Sequence, residues 1–460
     1  MWKLWVISAL VLALVLLALG LANFGCEQLV TDSGGGEVAE AWVARYDGQT
    51  EDDDSAVALA PDGLGNIYVT GYSWGDDSSS DFATIKYDIK GNQLWVARYD
   101  GPASDDDKAL YLVPDNSGNV YVTGWGLGNG TGADYVTIKY DGVGSRPWVA
   151  RYDGPVSGYD KACALGVDYS ANIYVTGWSL GNGTEADYAT IKYDTDGNQL
   201  WVARYDGPAS GKDESYAIAV DGWANVYGTG SSQGNGTEAD YATIMYDSDG
   251  NQLWVARYDG PVSGEDNAQA IAVDDLCNVY VTGWSQGNGT EADYATVKYD
   301  NSGKQLWVAR YDGPVSGEDQ SYAIAVDSWG NVYVTGWSQG NGTEADYATV
   351  KYDNNGKQLW VARYDGPASG EDNARTIVMD GRGNVYVSGW SEGSGSRYDY
   401  ATVKYDAAGN QLWVAWYDGS ANGHDKAYAM ALDSLGNLYV TGRSSGEGTY
   451  YDYTTIKYTQ

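Results

Sequence analysis

Histidine occurs once in the 460 residues, at position 424, cysteine three times, phenylalanine twice and proline nine times. With one imidazole there is no His-Glu-x-x-His metal site, and the loop residue His424 beside Asp425 reads as a solvated side chain rather than a catalytic base. No Cys-x-x-Cys and no Gly-x-x-x-x-Gly-Lys-Ser/Thr occur, so zinc-ribbon, thioredoxin-like and P-loop chemistry are excluded. Cys163 and Cys277 stand two repeats apart in different phases, a separation that predicts two free thiols. Basic residues are also scarce, 27 against 63 acidic, for a formal net charge of −36. A phosphate backbone needs a basic surface, so nucleic acid is ruled out as a partner.

What the chain has in quantity is 41 Tyr, 19 Trp and 62 Gly, and a phrase that repeats. Trp-Val-Ala-Arg-Tyr-Asp-Gly begins at Trp42, Trp95, Trp148, Trp201, Trp254, Trp307, Trp360 and Trp413, always 53 residues apart, and only the last copy departs, with Trp416 in place of Arg. A unit of this size cannot bury its own apolar face and must pack on its neighbours. Within the unit that starts at Trp307, residues 323–327, 332–337, 346–353 and 358–364 are short runs rich in Val, Tyr, Trp and Thr. Asp-x-x-Gly turns separate them, and no stretch of helical period intervenes. Four antiparallel strands repeated eight times predict an all-β, eight-bladed propeller over residues 42–460. The chain enters on the phrase that ends a repeat and stops on a third strand. The N-terminal strand is therefore expected to complete the last blade and close the ring.

The segment Ala-Ile-Ala-Val-Asp-x-x-Gly-Asn-Val-Tyr-Val-Thr-Gly at residues 323–336, with a near copy at 270–283, resembles the SBBP repeat of bacterial propeller proteins. The resemblance implies a propeller and no particular reaction. Those proteins are generally regarded as seven-bladed, whereas eight phrases are counted here. A weaker likeness is to quinoprotein propellers, carried by Asp353-x-x-Gly356-Lys357-x-x-Trp360, in a turn one residue shorter than theirs. It implies an eight-bladed fold shared by quinone-dependent enzymes and by non-catalytic outer-membrane assembly lipoproteins.

The N-terminus has Lys3, an apolar run over residues 4–22, and then Asn23-Phe24-Gly25-Cys26. One Lys before such a run is an export signal. The small residue and Cys at its end resemble a bacterial lipobox, which implies lipidation of Cys26. Residues 1–25 are thus read as a signal peptide or an uncut membrane anchor, ordinary cleavage being the third alternative, and residues 26–41 as a Gly/Ser-containing linker. All three alternatives put the repeats outside the cytoplasm, anchored at the cell envelope in the first two.

Three Asp positions per repeat fall on the face where the second and third strands are joined. One ends the phrase, as at Asp312. A second precedes the first strand, at Asp54, Asp107, Asp160, Asp213, Asp266, Asp319, Asp372 and Asp425. A third opens the third strand, at Asp81, Asp134, Asp187, Asp240, Asp293, Asp346, Asp399 and Asp452. Crowded carboxylates raise one another's pKa or take up a hard cation, so Ca²⁺ is a candidate ligand, although the fold requires no cofactor. The competing reading has each Asp accept turn N–H groups and pair with the strand Arg, such as Arg363. The turns at Asp194 and Asp247 begin like a calcium loop but lack its later ligands, and read as hairpin turns. Trp125, Trp178, Trp284, Trp337 and Trp390 close the second strands, replaced by Tyr72, Ser231 and Arg443 elsewhere; they could stack on sugar rings or pack between blades. Gly-Asn-Gly-Thr-Glu-Ala-Asp-Tyr recurs unchanged at Gly181, Gly234, Gly287 and Gly340. Loops this alike mark out no single pocket. The expectation is a monomeric, non-enzymatic binding or scaffolding propeller that meets a protein at the cell envelope. The alternatives are a multivalent glycan binder and a quinoprotein-like enzyme.

Overall fold

The computed structural model describes residues 38–50, 52–75, 79–395, 397–446 and 450–460. The export signal, Cys26 and most of the linker lie outside the described residues. Among the described residues, thirty-two strands, β1 to β32 in chain order, make up the fold. Among the described residues no helix is long and apolar enough to cross a membrane.

The blade after Trp307 shows how the sequence produces the fold. Its strands are β22 (Asp319–Val326), β23 (Val332–Gln339), β24 (Ala345–Tyr352) and β25 (Gln358–Tyr364), hydrogen-bonded in that order and all antiparallel. Between β22 and β23 the Asp327 carboxylate accepts the N–H groups of Trp329 and Asn331 and the Asn331 side-chain amide, which sets the turn. Gly330 completes it at φ +77°, a conformation glycine adopts at little cost. The first strand begins earlier than the alternation of side chains predicts. A β-bulge between Ser321 and Ala323 breaks the two-residue period, so Asp319 belongs to the strand.

First strands contact first strands all the way round, from β2 (Ser55–Pro61) to β30 (Asp425–Leu432) and back to β2, and so surround the axis. Third strands such as β24 are buried along their whole length, because both faces meet a neighbouring blade. The apolar clusters straddle blades accordingly. One of them joins Tyr227 and Tyr241 of one blade to Val279, Val281, Ala295 and Val297 of the next. The twelve largest fully buried side chains are all Tyr. Burying such a ring removes about 150–250 Å² from water and contributes a few kcal/mol. Some of the hydroxyls find a partner in the adjacent blade, as Tyr188 does at Ala242 O (3.1 Å), whereas those of Tyr87, Tyr140 and Tyr246 have none.

The last sheet is built as the sequence predicts. Strand β1 (Ala39–Tyr46) pairs antiparallel with β32 (Tyr451–Thr459), outside β31 (Leu438–Ser445) and β30. The Tyr453 hydroxyl then donates to Ala83 O in the first blade (3.1 Å), the same bond that links the other blades, so the ring is closed. Blades 2 and 3 share one local irregularity, a parallel pairing of Gly132 and Ala133 with Gly158 and Tyr159. Gly132, which stands where four other repeats have Glu, allows it. At φ +88° a Cβ there would lie 2.2 Å from Gly158 O.

Candidate functional site

The repeated phrase works between blades. Its Trp donates from Nε1 to a carbonyl in the outer turn of the next blade, for example Trp307 to Asn354 O (3.0 Å). Its Arg pairs with the third-strand Asp of its own blade at 2.7–2.9 Å in seven blades, Arg45–Asp452 among them. The same guanidinium donates to the phrase Tyr of the preceding blade at 3.0–3.3 Å, as Arg363 does to Tyr311. Its Gly donates to the first-strand Asp of the following blade, for example Gly313 to Asp319 (2.6 Å) and Gly154 to Asp160 (2.7 Å). That approach needs glycine, since a Cβ on Gly260 would lie 2.4 Å from Ser285 Oγ.

Each first-strand carboxyl, from Asp54 to Asp425, is wholly buried. Besides the glycine N–H, six of them (Asp54, Asp160, Asp266, Asp319, Asp372 and Asp425) accept the N–H of a residue near the end of the second strand at 2.9–3.2 Å. Burial pushes Asp54, Asp266, Asp319 and Asp372 up to about 6, against the lowering effect of these hydrogen bonds. Asp107 reaches about 7, because Gly126 stands where the other blades supply a serine hydroxyl.

The structure brings the three Asp sets together at the blade junctions. Asp81, Asp100 and Asp107 offer oxygens within 4.8 Å of one another, and so do Asp293, Asp312 and Asp319. These junctions fit calcium poorly. Ca²⁺ takes about 6–8 oxygens, whereas here one carboxylate is held by Arg, a second accepts backbone N–H groups, and the third is exposed in most junctions.

Trp125, Trp178, Trp284, Trp337 and Trp390 lie at the inner edge of the blades, each paired across the strands with the residue that follows the buried Asp. Trp337 donates to the Tyr322 hydroxyl (3.1 Å), and Trp390 is only 5% exposed.

Blades 7 and 8 break the repetition, contrary to the expectation that no residues stand apart from it. Arg375, Lys426 and Arg443 gather at the loop-side mouth of the channel. Arg375 lies 4.1 Å from the Tyr322 ring centre and 4.6 Å from that of Trp390; Lys426 lies 4.4 Å from both Trp390 and Tyr398. Arg443 lies 4.3 Å from Tyr451. His424 is half-buried rather than solvated. It packs on Tyr398 at 5.0 Å, meets Arg397 Nη1 at 3.2 Å, and burial together with Arg397, Lys426 and Arg443 lowers its pKa. Two like charges about 6 Å apart repel by about 3 kcal/mol at an effective dielectric of 20. A partly buried cation–π contact returns about 1–2 kcal/mol. Aligning the eight repeats by their period exposes this sector, since the column of Arg375 otherwise holds Val57, Leu110, Cys163, Tyr216, Gln269, Tyr322 and Tyr428.

On the opposite face the turns between first and second strands ring the axis. Six of them carry a large apolar side chain that is 70–90% exposed: Leu64, Tyr169, Trp223, Leu276, Trp329 and Leu435.

The closed ring of eight four-stranded blades, stapled by one repeated phrase, defines a β-propeller repeat protein. The chain carries beta-propeller repeats of the SBBP type, whose family model matches residues 44–77, 260–289, 313–342 and 417–448. It is 25% identical over 399 residues to an uncharacterized WD repeat-containing protein of Acanthamoeba polyphaga mimivirus, covering 73% of this chain and 26% of that protein. The chain thus spans about a quarter of that relative's length. Similar solved structures include a protein of unknown function from Dyadobacter fermentans, with 10% identity, coverage of 92% of this chain and 98% of that one, and a TM-score of 0.45. Another is the beta-propeller domain of the Trilobed protease from Pyrococcus furiosus, with 9% identity, coverage of 75% and 95%, and a TM-score of 0.43.

Proposed function

We propose that this propeller is a non-enzymatic binding scaffold that docks a protein partner at the cell envelope through the apolar crown of its turn face. The observation that carries the reading is the crown itself. Leu64, Tyr169, Trp223, Leu276, Trp329 and Leu435 project from six of the eight innermost turns, in a chain whose other aromatic residues are largely packed between blades. Large apolar side chains exposed on one face in this way mark interaction sites, and Trp and Tyr dominate the energetics of such contacts. The loop face is a weaker docking surface, since its repeated Arg and Asp groups are already engaged with one another. Strand β1 also starts at the turn face, because Ala39 pairs with Thr459 there. A tether at Cys26 would accordingly hold the crown near the membrane, where an envelope protein could meet it.

The test is covalent cross-linking in the source cells with the full chain and with a Trp223→Ser, Trp329→Ser variant. Loss of a discrete cross-linked partner, with an unchanged melting temperature, is expected. The same partner captured by the variant would overturn the proposal.

A further inference from the structure

The channel mouth of blades 7 and 8 carries chemistry that neither a scaffold nor the repeat accounts for. The chain has 63 acidic residues, and seven of the eight phrase positions hold an Arg with a carboxylate partner. Yet among the described residues Arg375, Lys426 and Arg443 form no ion pair. The nearby carboxylate Glu371 acts on Lys426 only at longer range and accepts a hydrogen bond from Tyr398 (2.7 Å). Donors in the same sector are left over as well. Arg375 Nε, Arg443 Nε, Trp390 Nε1 and His424 Nδ1 are all buried atoms with no hydrogen-bond partner. Other buried polar atoms without a partner among the described residues are oxygens, Asn373 Oδ1 in this sector among them, whereas all the nitrogens are these four. Orphan donors gathered in one sector, two of them on charged guanidinium groups, point to a missing acceptor.

The geometry also says what kind of acceptor. The Arg375 guanidinium lies over the Tyr322 and Trp390 rings, and that of Arg443 over the Tyr451 ring. These contacts leave the Nε donors without an oxygen acceptor, and a guanidinium fork matches a planar or tetrahedral oxyanion in bidentate fashion. Lys426, on the other aromatic contacts of Trp390 and Tyr398, adds a point charge between them. The arrangement stands on the two innermost strands of blades 7 and 8, at their loop-face end.

We propose that this sector binds a small solute bearing carboxylate or phosphate groups, held by Arg375, Lys426 and Arg443. The site is single, because no other blade supplies this set of cations.

Calorimetric titration of the full chain at low ionic strength, with citrate in one arm and inorganic phosphate in the other, tests this and separates the two anion chemistries. Saturable one-to-one binding is expected in at least one arm. It should weaken more than about tenfold in Arg375→Gln and in Arg443→Gln, and should be unchanged in Lys304→Gln, whose side chain sits in an outer turn on the opposite face. In the wild-type protein the indole N–H resonance of Trp390, assigned with Trp390→Phe, should move on saturation. That signal decides the matter even if an Arg variant folds poorly. Absence of binding in both arms up to about 10 mM, an unmoved Trp390 resonance at saturation, or wild-type affinity in the folded Arg variants would each overturn the proposal.

Discussion

At the scale of the residue, the buried carboxyls are the most consequential groups. Asp107 stands at about 7 and Asp54, Asp266, Asp319 and Asp372 at about 6, in each case because burial penalises the charged form. An unfolded Asp titrates near 3.9. Between roughly pH 4 and pH 7 the folded chain therefore holds protons that the unfolded chain has released, and stability falls as pH rises through that window. The contribution is complete below the unfolded value and is lost once the pH passes the folded one. The turn carboxyls act in the opposite sense. Asp221 and Asp380 are held below the usual range by side-chain and backbone hydrogen bonds from Asn225 and Asn384, against the effect of burial, so their contribution is lost only in stronger acid. The melting temperature is expected to be higher at pH 5 than at pH 8. In Asp107→Asn, where no proton can leave, the decline between pH 6 and 8 should be shallower, as scanning calorimetry across pH would show. A decline as steep as wild type would contradict the role given to Asp107.

At the scale of the element, the bond that links third strands around the ring is made by seven Tyr hydroxyls, at 3.1–3.2 Å to a carbonyl 54 residues on or across the closure. The first blade lacks it, because Phe82 holds that position. The corresponding carbonyl, Val136 O, accepts from Thr123 Oγ1 (3.0 Å), and its counterpart Ala242 O takes both that bond, from Thr229, and the Tyr188 hydroxyl. A carbonyl oxygen has a second lone pair to offer. Phe82→Tyr is therefore expected to stabilise the fold by about 1 kcal/mol, read as a higher denaturant midpoint with an unchanged slope. A lower midpoint would mean that the pocket cannot admit the hydroxyl. Elements were the most legible layer of this sequence. Val/Tyr/Thr alternation and Asp-x-x-Gly turns locate each strand, and the Arg–Asp pairing was one of two readings open at Arg363. The first strands were read short because the bulge at Ser321 and Ala323 hides their start from a two-residue period. The cationic sector was missed for a different reason. Attention to what repeats passes over Arg375 and Arg443, which have no counterpart in another blade, and over Lys426, whose column holds Lys elsewhere only at Lys108 and Lys161. Loop position also says little about burial, so His424 looked solvated when Tyr398 in fact covers it.

At the scale of the whole molecule, a ring of eight units has as many interfaces as blades, and each blade is stable only through its neighbours. The eighth interface depends on a strand more than 400 residues away in sequence, since Arg45 reaches Asp452 and Tyr417, and Trp42 donates to Ile89 O in the first blade (3.1 Å). Deleting residues through Tyr46 would strip β32 of its partner and leave the Trp42 contacts with the first blade unmade, among them Tyr87 at 6.2 Å between ring centres. The exposed edge would then offer unpaired N–H and C=O groups to other chains. The truncated protein is expected to melt at a markedly lower temperature and to associate through β32 at high concentration. A synthetic peptide spanning residues 38–46 should restore both properties when added in excess, because it brings back the pairing register, Trp42 and Arg45 together. Melting curves and light scattering with and without the peptide provide the measurement. If the truncated chain kept its melting temperature and stayed monomeric, closure by the N-terminal strand would contribute little, and stability would have to be assigned to the seven remaining interfaces alone.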